Sequence, residues 1–71
     1  MLGAFYYRQK QFEKAQDAFT AALALYPNDP RALYGLALAQ RALGLAVSSQ
    51  QTMKAFTSIW TEPTPPNLVD L

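Results

Sequence analysis

Cysteine and histidine are both missing from this sequence of 71 residues. Without them there are no disulfides, no thiolate-metal sites and none of the usual zinc ligand sets, so neither cross-links nor metal can reinforce so short a chain. Charge is scarce as well. Only 15% of the residues are charged and the net charge is +1, which gives no clustered basic face of the kind nucleic-acid binders carry. No long apolar run occurs either. The longest, Ala21 to Tyr26, is far below the roughly 20 residues a membrane-spanning helix needs. No charged and then apolar leader follows Met1, so the expectation is a soluble, cytoplasmic protein with no nucleic-acid partner and no membrane span.

Catalytic groupings are equally thin. Glu13 and Asp17 share one exposed helical face, Asp29 suits a helix cap, and Glu62 and Asp70 lie near the end of the chain. Ser48 and Ser49 have no histidine to activate them, and Gly3, Gly35 and Gly44 are too scattered to form a phosphate loop. Neither enzyme activity nor a cofactor is expected.

What the chain has is apolar substance, 51% hydrophobic and 13% aromatic, enough to fold rather than stay disordered. Its periodicity is helical. Phe12, Ala15, Phe19, Ala22, Leu23 and Tyr26 recur at the three-and-four spacing of one buried helix face, with Glu13, Lys14, Gln16 and Asp17 on the other. Pro27 stops that helix, and Asn28-Asp29-Pro30 supplies a cap and a first-turn proline for the next. A third helix from about Pro30 to Leu43 turns Leu33, Leu36, Ala37, Ala39, Gln40 and Leu43 inward, and Gly44 ends it in a left-handed cap. Ser48-x-x-Gln51 has the form of a capping box for a fourth helix with a stripe of Ala46, Ser49, Met53, Phe56 and Trp60. Before all of these, Met1 to Tyr7 forms a short helix so apolar that it needs cover on more than one side.

Leu2, Gly3, Tyr6, Ala15, Phe19, Ala22 and Pro27 resemble the tetratricopeptide pattern, Leu-Gly-x-x-Tyr on a first helix and Ala-x-x-x-Phe with a closing Pro on the second. Leu36 stands 34 positions after Leu2, the period of that family. The resemblance implies an all-α fold of about four antiparallel helices, a fragment of an α-α superhelix. Repeat one would cover residues 1–29, a divergent closing repeat 30–60 (together one helical domain, 1–60), and a proline-rich tail 61–71. Three departures stand out. The first helix lacks its initial turn, so either the repeat is truncated or the chain is part of a longer protein. Lys10 occupies the usual glycine of the turn. Phe56 fills a place the family keeps small, where it would obstruct a following repeat, so the fourth helix should act as a cap or face a second chain.

The resemblance also implies a function. First helices of such repeats line a concave groove, which points to Ala4, Tyr7 and Arg8 in repeat one and Arg31, Tyr34, Leu38 and Arg41 in repeat two as the surface for a protein or peptide partner. Tyrosine and arginine suit such a surface by their contact area and donor geometry. The carboxylate-clamping branch of the family uses lysine and asparagine where this chain has Tyr34 and Leu38, so its activity is not carried over. An extended or helical apolar segment with scattered acidic groups fits better. A weaker similarity links Arg31 to Gly44 with small tetratricopeptide chaperones of type III secretion systems, and a structural piece of a longer solenoid is the further alternative. Because such repeats need about three stacked neighbours to bury a continuous core, the chain is expected to be a homo-oligomer or to be stabilised by a partner, with Met1 to Tyr7 and Phe56 as the contact regions. The last residues, Asn67 to Leu71, read as a frayed tail or a short docking peptide.

Overall fold

The computed structural model describes residues 2–64. It contains four helices: α1 (Leu2–Arg8), α2 (Phe12–Leu25), α3 (Pro30–Ala42) and α4 (Ala46–Ile59). Each packs on its neighbour in the chain, and α1 also touches α3. The expectations for Met1, for the end of the tail and for its apolar peptide lie outside the described residues.

The corners show why the chain doubles back where it does. At the end of α1 the Gln11 amide donates to the Tyr6 carbonyl at 2.9 Å and the Lys10 amide to Tyr7 at 3.0 Å. That pairing satisfies carbonyls the helix end would otherwise strand, and it requires a left-handed residue between them. Lys10 takes that conformation, φ 60. The same corner recurs 34 residues on. Leu45 donates to Gln40 at 2.9 Å and Gly44 to Arg41 at 3.1 Å, with Gly44 at φ 82. The closing bonds repeat too, Tyr26 to Ala22 and Trp60 to Phe56, both at 2.8 Å. The backbone of α3–α4 therefore retraces that of α1–α2, whatever its side chains do.

Between the hairpins, Asp29 caps α3 as its sequence suggests, its Oδ1 accepting from the Arg31 amide at 3.0 Å. The core is built from small residues around one ring. Ala4, Ala15, Ala32, Leu36 and Ala39 surround Phe19, which is completely buried. Two glycines make room for it. A Cβ on Gly3 would stand 2.8 Å from Phe19 Cδ1, and one on Gly35 only 2.2 Å from Cζ. Phe19 is thus a knob from α2 seated in notches on both first helices, and the approach needs glycine because any Cβ would overlap the ring.

Several expectations are corrected by the packing. α4 starts at Ala46, two residues before Ser48, because the corner at Gly44 and Leu45 already ends α3 and the Leu45 carbonyl takes the Ser49 amide at 2.9 Å. Ser48 is then inside the helix and its carbonyl accepts from Thr52 at 2.9 Å, so no capping box forms. Ala46 and Tyr26, placed on inward stripes by their spacing, are exposed, since each stands where its helix meets the corner or stops. Gln16, expected in water, is half-buried. Phe56 is only 4% exposed: its ring lies 5.1 Å from Tyr34 and 5.8 Å from Trp60, so it caps this hairpin from within and offers no surface to a second chain.

Candidate functional site

α3 and α4 are held together by buried polar contacts as well as apolar ones. Ser49 Oγ donates to the Ala37 carbonyl at 2.8 Å. Thr52 Oγ1 lies 2.7 Å from Gln40 Oε1 and 2.9 Å from the Ser48 carbonyl, so its single proton serves two acceptors. Gln40 and Ser49 are both buried, and such contacts fix how close and in what register the two helices run.

Beside this seam lies a cleft of about 360 Å³ lined by Leu38 and Arg41 from α3 and by Ala46, Ser49, Gln50 and Met53 from α4. Small Ala46 and Ser49 keep it open, while Leu38 and Met53, half-buried, give it apolar walls and Arg41 stands exposed at its edge. Toward the start of α3 the aromatic group Tyr34, Phe56 and Trp60 occupies the seam, and the Trp60 indole donates to the Thr64 carbonyl at 2.8 Å. Two further depressions adjoin one another around Glu13 and Leu43, one edged by Lys10 and Lys14, the other by Gln16, Asp17 and Leu45. Their charged walls suit an apolar helix less well.

The six residues named for partner binding go to different places. Leu38 and Arg41 share the cleft. Tyr34 belongs to the same face of α3 but has its ring against Phe56. Tyr7 is half-buried, packed on the core cluster with its ring edge-on to Phe12 at 5.4 Å. Arg8 and Arg31 are exposed, and only the Arg31 backbone is engaged, at the Asp29 cap. Ala4, assigned to the groove by the resemblance, is completely buried beneath α3. The sequence reading missed the whole α4 wall. On α4 only Phe56 was expected to meet a second chain, although Met53, one period after Phe19, already marked a place where a ring is missing.

Among the described residues no helix is long and apolar enough to cross a membrane, and no three metal-capable side chains gather. Residues 1–29, which include the α1–α2 hairpin, match the family model of the tetratricopeptide repeat, a repeat associated with protein-protein interaction. No curated protein and no solved structure matches the chain.

Proposed function

We propose that the chain is a binding module that holds an apolar helix or extended segment of a partner protein, with the α3–α4 cleft as the seat and Tyr7, Arg8, Arg31 and Tyr34 as further partner-contact positions on the first helices. The cleft carries this reading: two apolar walls, Leu38 and Met53, flank small Ala46 and Ser49 beside an exposed arginine. Such a surface suits hydrophobic anchors spaced along a helix, with an acidic group paired to Arg41. Leu38→Asp combined with Arg41→Glu puts charge on the apolar wall and reverses the rim. Tyr34 is left alone because its ring supports Phe56. In a pull-down read by mass spectrometry, partners bound by the unaltered chain should be lost from this variant while its far-UV circular dichroism is unchanged. Capture of the same proteins by both would refute the proposal. A captured partner that is insoluble when expressed alone would make the module a holding chaperone, the more specific form of the same function.

A further inference from the structure

α1 and the α3–α4 cleft stand one 34-residue period to either side of the internal contact between α3 and the α1–α2 hairpin. Inside the chain, α3 seats on the α1–α2 hairpin, and its Leu36 and Ala39 join Ala4, Ala15 and Phe19 in one buried cluster. One period before Leu36 and Ala39 stand Leu2 and Phe5. They occupy the equivalent face of α1, yet they are 60% and 46% exposed where Leu36 and Ala39 are 8% and 0%. One period after Ala4, Ala15 and Phe19 stand Leu38, Ser49 and Met53, and all three line the cleft. Among the described residues α1 therefore carries an uncovered seating face, and α3–α4 an uncovered seat.

The side chains at these ends are complementary in kind. In the internal contact the bulk comes from the seat, as Phe19, and the incoming helix offers Gly35 and Ala39. At the free ends the seat has exchanged that ring for Met53, and the helix has exchanged Ala39 for Phe5. The rigid ring has changed sides: it stands on the incoming helix as Phe5, and the seat carries the flexible Met53 in its place. Methionine is well suited to receive the ring because its flexible thioether adapts to aromatic surfaces.

Register selects the occupant further. Phe56, in the place of Ala22, belongs to the aromatic group that occupies one end of the α3–α4 seam. A helix as long as α3, with 13 residues and about 20 Å, would run into that group. α1, Leu2–Arg8, corresponds in register to the later part of α3, 36–42, beside the end left open. A net charge of +1 puts little repulsion between copies.

We infer that the cleft takes α1 of a second copy of this chain, head to tail, with Phe5 seated against Leu38 and Met53. This rests on the reading of the cleft as a helix seat and names its occupant. Because the two surfaces differ, the contact is heterologous, and copies add on until the rotation closes or the chain of copies stays open.

The test is sedimentation velocity on the full chain. The wild type should grow past a dimer as concentration rises. Phe5→Glu removes the knob but leaves the cleft, Met53→Glu spoils the cleft but leaves the knob, and each alone should be monomeric. Mixed in equal amounts they should form a one-to-one dimer and stop there. If Met53→Glu lacks the helical dichroism of the wild type, Gln50→Trp, at an exposed position on the cleft wall, takes its place. A dimer that pairs α1 with α1 would give no recovery on mixing, and that result overturns the inference. A wild type that stays monomeric yet loses partner capture in the Leu38→Asp, Arg41→Glu variant overturns the occupant alone and leaves the binding module standing.

Discussion

Replacing Gly35 by alanine sets two effects against each other with opposite signs. In a helix interior, alanine is favoured over glycine by about 1 kcal/mol, so propensity alone predicts a more stable protein. The packing predicts the reverse. The new Cβ would stand 2.2 Å from Phe19 Cζ and 2.4 Å from Cε1, more than 1 Å inside the roughly 3.5 to 4.0 Å of an ordinary carbon contact. The ring cannot simply withdraw, because on its other side it lies so close to Gly3 that a Cβ there would also overlap it. Overpacking a core costs about 1 to 3 kcal/mol. A completely buried ring wedged from both sides belongs at the upper end, which leaves a net loss of about 2 kcal/mol. In a domain this small that is a large part of the total, and the melting midpoint should fall by about 10 °C. Urea and thermal unfolding followed by circular dichroism, at one fixed protein concentration because association shifts the midpoint, measure it directly. Phe19→Leu in the Gly35→Ala background provides the decisive comparison. If the clash is the cause, the double variant is more stable than the sum of the two single losses by at least about 1 kcal/mol, since contacting residues couple at that scale. A Gly35→Ala protein more stable than wild type, or strict additivity in the double variant, would refute the notch as the reason for glycine.

Other consequences are smaller. Lys10→Gly should raise the midpoint by about 5 °C, because a left-handed non-glycine residue costs about 1 kcal/mol and the equivalent corner already has Gly44 at that conformation; an unchanged or lower midpoint would show that Lys10 is unstrained. Thr52→Val should cost about 1 kcal/mol by leaving the buried Gln40 amide short of a partner. Adding Gln40→Leu should recover most of that loss in the same urea titration, since removing both polar groups leaves nothing unsatisfied.

The backbone was the most legible part of the chain. Leu2, Phe19 and Pro27 identify the first hairpin, Asp29 before Pro30 caps α3 as expected, and the left-handed conformation required at Lys10 follows from its position in the turn. What failed to show was governed by contacts between helices. Ser48-x-x-Gln51 has every local feature of a capping box, yet the start of α4 was already fixed by the corner at Gly44, whose hydrogen bonds belong to α3. Phe56 looked like an obstacle for the next repeat because its own position is normally small, but Tyr34 and Trp60 are needed to see that the ring turns inward. The partner surface was half legible. Leu38 and Arg41 lie on the first-helix face that such repeats present, whereas Ser49 and Met53 become part of a cleft only once α4 is laid beside α3.

The second hairpin departs from the family pattern at Gln40, Ser49, Met53 and Phe56, and these departures do not act independently. Gln40 replaces the aromatic of Tyr6 and is buried, which is tolerable because Thr52 reaches its amide. Ser49 replaces Ala15 and spans to the Ala37 carbonyl, so hydrogen bonds to α4 replace some of the apolar contact between the helices. With the seam held that way, the position of Phe19 no longer needs a ring as a central wedge, and Met53 can line a cleft instead. Phe56 then supplies aromatic bulk at the far end of the seam, where Tyr34 and Trp60 cover it. Bulk has thus moved along α4 from the middle of the seat to its end, closing half of the face that a full-length helix would use and leaving the other half open to a shorter one. Four substitutions that look like decay when compared one by one with the family pattern make a consistent set when their contacts are taken together.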